Sequence, residues 1–366
     1  MEHNILNKYA QLLVNYSLEV QPGERVMVDS TTLAEPLIRE IYREILKAGG
    51  HPHIDMSFRG QSRIFVDTAN DDQLAYISPL YAKSMEDFEC YLFVRAPYNT
   101  SSTAEMKSGR TGILSKARQP YRTIYSKRTG ARELKRSLCE FPTAAMAQNA
   151  GMSLESYEQF IYNSCFLFEE NPAEKWLEVR ANQQKIVDVL NTKDKIRYKG
   201  EGTDITFSTK GRTWINSDGQ TNMPSGEVYS SPIEDSMNGV IYFDYPAIRM
   251  GEELQGVTLW VKNGEVQKWE AKKGKHILDK VFSIAGARRF GEVAIGTNHN
   301  INKPTKNILF DEKMGGTVHM AIGQAYLQCG GLNKSTIHWD MIAEMRNGGE
   351  VYADDELIYK SGQFLF

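Results

Sequence analysis

Near residue 191 the spacing of apolar residues changes from a helical to an alternating period, and any fold for this chain has to accommodate both halves. Upstream, residues 25–29 read as a strand. Thr32 precedes a helical pattern over 34–48 that Gly49-Gly50 ends, and residues 51–56 read as the returning strand. This is a strand-helix-strand unit, preceded by a helical opening at 5–18 and followed by a buried strand at 90–95. Residues 140–168 read as mostly helical, with Ser153 as N-cap and Leu154, Tyr157, Ile161, Cys165 and Phe168 on one face. Downstream come short alternating stretches at 196–198, 205–208, 240–244 and 257–261, the last closed by the hairpin dipeptide Asn263-Gly264. Two helices interrupt them, one at 275–290 and a shorter one after His319. The expected architecture is an α/β N-terminal domain over residues 1–190 and a strand-rich α+β C-terminal domain over residues 191–366, with no internal repeat.

A chain of 366 residues fits about two domains. At that size roughly 75% of the unfolded surface is removed on folding, so neither disulfides nor a structural metal is required for stability. The 43 basic and 46 acidic residues give a net charge of -3, which leaves no basic surplus for a phosphate backbone, and no nucleic acid partner is expected. No run of 18 apolar residues occurs, and Met1-Glu2-His3-Asn4 lacks the basic and apolar regions of a secretion signal. No membrane association is therefore expected. Cys90, Cys139, Cys165 and Cys329 show no C-x-x-C spacing, as in a reducing compartment, and the expected location is cytoplasmic. Glycine-spaced phosphate loops and G-x-S-x-G are both absent, which argues against nucleotide cofactors and serine hydrolysis.

The donor residues gather late in the chain. None of the seven histidines lies between residues 54 and 275. His338-Trp339-Asp340 sits in an apparent strand, where residues two apart face the same side and present imidazole and carboxylate together. His319 precedes Tyr326 by seven residues, two turns along one helix face if that segment is helical. Glu227, Glu292 and Glu312 each stand in apolar sequence. Singly, each has an ordinary reading: a strand-end His/Asp pair, a satisfied core histidine, a core tyrosine, a glutamate turned to solvent. Together, three glutamates, two histidines and one aspartate form a donor set suited to two divalent cations sharing a carboxylate.

At these residues the chain resembles the thermophilic aminopeptidase family. The similarity runs through Asn222-Met223-Pro224-Ser225-Gly226-Glu227-Val228, Gly291-Glu292-Val293-Ala294, Asp311-Glu312, His319, Tyr326 and His338-Trp339-Asp340. It extends upstream to Phe141-Pro142-Thr143-Ala144-Ala145-Met146-Ala147-Gln148 and Met152-Ser153-Leu154-Glu155. The resemblance implies a cytoplasmic, homodimeric metallo-aminopeptidase acting on short peptides, with its catalytic centre in the C-terminal domain. It implies two divalent ions (zinc, cobalt, manganese or magnesium) held by Glu227, Glu292, Glu312, His319, His338 and Asp340, with Tyr326 and Glu227 as catalytic residues.

Three departures mark a shorter, divergent branch. Ser225 and Gly226 replace the family's threonine and second glutamate, Gly315-Gly316 lengthens the interval from Glu312 to His319, and the segment between Tyr326 and His338 is abbreviated. The competing readings are a metal-dependent amidase acting on small amides and a noncatalytic peptide-binding relative with a decayed site.

Overall fold

A computed structural model describes residues 2–102, 106, 108–249 and 252–366. The chain forms two compact units, Met1–Ala173 with Gly219–Pro224, and Glu174–Asp218 with Ser225–Phe366.

The first unit is built on a five-stranded parallel sheet. Its strands run in the order His51–Ser57, Arg25–Thr31, Cys90–Arg95, Lys135–Glu140, Asn222–Met223. Val26 and Val28 are buried beside Cys90 and Leu92, their register partners, so the central strands are apolar runs enclosed by helices. Helix Glu35–Lys47 turns Leu37, Ile38, Ile41 and Ile45 inward, and Gly49 at φ +80° follows its end. The region expected to be helical at 140–168 divides: Glu140 closes a strand, Thr143 caps Ala144–Asn149, and the Ser153 hydroxyl accepts from Ser156 N at 3.2 Å to cap Leu154–Ser164.

The second unit has two antiparallel sheets and an extensive apolar core. In the nine-stranded sheet, Asn263 and Gly264, both at positive φ, join Glu252–Lys262 to Glu265–Lys273 in a tight hairpin. The five-stranded sheet runs His338–Glu344, Thr317–Gly323, Phe290–Gly296, Glu227–Ser230, Ile215–Ser217. The chain enters this unit at Glu174, ahead of the expected boundary near 190, because Ile186, Val187 and Leu190 of helix Pro172–Leu190 pack into its core. The helix expected at 275–290 stops at Val281, and Phe290 already belongs to a strand. The helix expected after His319 is absent: His319 lies in mid-strand, and Tyr326 stands on the connection beyond it. Among the described residues, no helix is long and apolar enough to cross a membrane.

Candidate metal centre

The five-stranded sheet has two unlike faces. Val228, Val293, Ile295, Val318, Met320, Ile322, Trp339, Met341 and Ala343 point into the core, which turns the intervening residues of the same strands to the opposite face. Those residues include Glu227, Glu292, His319, His338 and Asp340. Register then sets small residues beside the donors. Gly296 pairs with Glu227, Ala294 with His319, Gly323 with His338, and Ala321 with both Glu292 and Asp340. With a methyl group or hydrogen at these positions, the long side chains have room to converge above the sheet.

The donors converge in two overlapping groups among the described residues: Glu227, Glu292 and His319, and Glu292, His338 and Asp340. His319 Nε2 lies 3.3 Å from Glu227 Oε2 and 3.5 Å from Glu292 Oε1. His338 Nε2 lies 3.0 Å from Glu292 Oε2 and 3.5 Å from Asp340 Oδ1. The other nitrogen of His338 donates to the Gln324 carbonyl oxygen at 2.7 Å, which turns Nε2 toward the carboxylates, as second-shell partners of metal-bound imidazoles do. Tyr326 packs over this histidine, with ring centroids 4.8 Å apart, and against Tyr229 at 5.3 Å.

Glu312 follows the short helix Ile308–Asp311 and joins neither donor group; its carboxylate is bonded to Lys313 Nζ. Lys313 was not anticipated as part of the site. Its only mark in the sequence is its place directly after Asp311-Glu312 in an otherwise apolar stretch. Gln324 acts through its backbone, so residue type carried no signal for it.

At Gly226, just before Glu227, the backbone leaves no room for a side chain. The φ of Gly226 is +114°, and a Cβ there would come within 2.7 Å of Asn298 Cβ, so a glutamate at this position would be both strained and obstructed. Asn298 Nδ2 donates to Ser225 O at 2.9 Å, and Thr297 N to Gly226 O at 2.9 Å, fastening the entry to the Glu227 strand.

Burial and charge pairing oppose each other at this centre. Burial raises the Glu227 carboxyl above its usual range, with Lys313 opposing and Glu312 reinforcing the shift. Burial alone would lower His319 and His338, yet the carboxylates around them push these imidazoles up to about 9 and about 11. Glu292 is lowered despite its burial, because both histidines favour its charged form. The Glu292 charge, followed by burial, raises the Tyr326 phenol well above its ordinary value.

Glu227 Oε2, Asp340 Oδ1 and both ring nitrogens of His319 are buried without a hydrogen-bond partner among the described residues. Leaving such groups unsatisfied costs about 1–3 kcal/mol each, and cations at the two donor groups would remove that cost for Glu227 Oε2, Asp340 Oδ1 and His319 Nε2. Carboxylate and imidazole donors suit divalent ions of intermediate softness, so the residues present fit a metal.

Comparison with known proteins agrees with this chemistry. Residues 2–364 match the thermophilic metalloprotease family (M29). Aminopeptidase 2 of Geobacillus stearothermophilus is 27% identical, over 99% of this chain and 98% of its own. Aminopeptidase AmpS of Bacillus subtilis (strain 168) is 25% identical over the same shares. Among solved structures, wild-type AmpT from Thermus thermophilus shares the fold, with a TM-score of 0.84 at 21% identity over 99% of both chains. Fold and family together define a metal-dependent peptidase, a hydrolase that uses divalent metal. The chain belongs to the M29 thermophilic metalloprotease family, as its motifs led us to expect.

Proposed function

We propose that this protein is a metallo-aminopeptidase that releases N-terminal residues from short peptides at a centre of two divalent cations. The observation that carries the reading is the pair of donor groups sharing one carboxylate, Glu292. In this reading Glu227 and His319 would hold one cation, His338 and Asp340 would hold the other, and Glu292 would serve both. Zinc, cobalt, manganese and magnesium all suit these donors. Bound there, the cations supply the Lewis acidity that polarises the scissile carbonyl and activates water.

The protein's own groups supply orientation and hydrogen bonds. The Gln324 carbonyl fixes the tautomer and direction of His338. Tyr326, kept neutral beside Glu292, retains its proton and donates a hydrogen bond to the substrate's carbonyl oxygen as negative charge develops there. Glu312 stands outside both donor groups and serves by holding Lys313.

The four cysteines are buried and form no disulfide with one another, which supports a cytoplasmic location. Analytical ultracentrifugation tests the homodimer implied by the family resemblance.

The decisive experiment supplies the purified protein with matched peptides carrying free or acetylated N-termini, before and after chelation. Release of the first residue from free peptides only, abolished by chelator and restored by cobalt or zinc, is expected. Equal cleavage of acetylated peptides or simple amides would favour the amidase reading. No turnover by protein shown to hold metal would favour a binding role.

A further inference from the structure

Among the described residues, the centre contains one cationic side chain, Lys313, that neither donor group uses. None of the Lys313 side chain is exposed, a rare position for lysine. Its Nζ lies 3.7 Å from Glu227 Oε1 and is bonded to Glu312 Oε1. The main chain holds it there, since Lys313 N donates to Phe310 O at 3.0 Å and Lys313 O accepts from Asn298 N at 3.0 Å. The same Asn298 fastens Ser225, two residues before Glu227. Lysine and glutamate are thus anchored to a common residue, and their approach is built into the loop.

Full burial keeps Lys313 from touching a substrate, so its action passes through Glu227. The two oxygens of that carboxylate have different surroundings: Oε1 faces the lysine, while Oε2 faces His319 and has no hydrogen-bond partner among the described residues. We propose that Lys313 is a built-in counter-ion that occupies one oxygen of Glu227 and keeps the carboxylate cluster assembled before metal arrives, leaving the other oxygen for the cation. Glu312 is the second anchor of this ammonium group. The part of the inference that concerns metal rests on the two-cation reading above.

The test is thermal unfolding of wild type, Lys313→Met and the double variant Glu227→Gln/Lys313→Met, each with and without excess cobalt. A buried carboxylate left without its partner should lower the metal-free Tm of Lys313→Met by roughly 10 °C. Cobalt should recover most of that loss by neutralising Glu227, and the Glu227→Gln substitution should recover it without metal. A loss of equal size with cobalt and in the Glu227→Gln background would overturn the proposal, because the lysine would then act through packing or Glu312 and not as the counter-ion of Glu227. If Lys313→Met does not fold, the double variant decides: restored folding supports the counter-ion, and equal failure rejects it. Absence of cobalt binding by wild type in calorimetry would instead defeat the two-cation reading, and the metal-free pair of variants would still judge the lysine.

Discussion

Glu292→Gln separates a shared carboxylate from five independent donors. Glu292 presents Oε1 to His319 and Oε2 to His338, and it alone belongs to both donor groups. Glu227 and Asp340 each belong to one group. Disturbing the outer-shell partner of a metal ligand already costs about 10–100-fold in affinity, so removing a charged donor should cost about 100-fold or more per ion. Glu227→Gln and Asp340→Asn should therefore each weaken one ion by about 100-fold and leave its neighbour bound. In Glu292→Gln the same penalty falls on both ions, and the product of the two association constants should drop about 10⁴-fold, or close to 6 kcal/mol at 1.4 kcal/mol per decade. Isothermal titration of the chelator-treated protein with cobalt reads stoichiometry and affinity together. His276→Ala provides a control, since its imidazole pairs with Glu252 on an exposed surface. A Glu292→Gln protein that kept one ion at wild-type affinity would refute the sharing, as would a Glu227→Gln protein that lost both.

Three further outcomes follow from the same geometry. Tyr326→Phe should lower kcat about 100-fold with KM little changed, as expected when a donor to the developing oxyanion is removed; an unaltered kcat would show that the phenol only packs on His338. Gly226→Ala should destabilise the protein by about 1–3 kcal/mol in urea unfolding and weaken cobalt binding, because the left-handed φ and the Asn298 contact both oppose a Cβ; unchanged stability would contradict that account. At Glu344, burial is outweighed by hydrogen bonds from Arg346 and Tyr245, which hold the carboxyl at about 2 in place of its ordinary 4.5. A depressed folded-state pKa stabilises above pH 4.5, and the gain fades as pH falls toward 2. The full shift would correspond to about 3 kcal/mol, reduced to about 2 because Arg346 is 39% exposed. Urea unfolding should show Glu344→Gln less stable than wild type at pH 7 with most of the gap closed at pH 3, and an equal gap at both would refute the linkage.

The legible parts of the sequence were those whose signal is local. The strands at 25–29, 51–56 and 90–95 appear as Arg25–Thr31, His51–Ser57 and Cys90–Arg95; the first and third carry apolar runs, and the second is marked by Gly49-Gly50, which ends the helix before it. The donor types were legible too, but their burial was not. Read singly, Glu227 and Glu292 suit a solvent-facing strand position, and only pairing across the sheet shows that each is buried among partners from other strands. The segment after His319 failed for a more specific reason. A half-buried strand announces itself by alternating apolar and polar residues, yet Thr317–Gly323 alternates Val318, Met320 and Ile322 with His319, Ala321 and Gly323, so nearly every position reads as apolar. Ala321 stands where a larger side chain would crowd Asp340 and Glu292, and a Cβ at Gly323 would come within 2.2 Å of Ile337 O, next to His338. Replacing them with polar residues would have made the strand easy to recognise and would have filled the space into which the donors converge. The small residues that erase the alternating pattern are therefore the ones that make room for the centre.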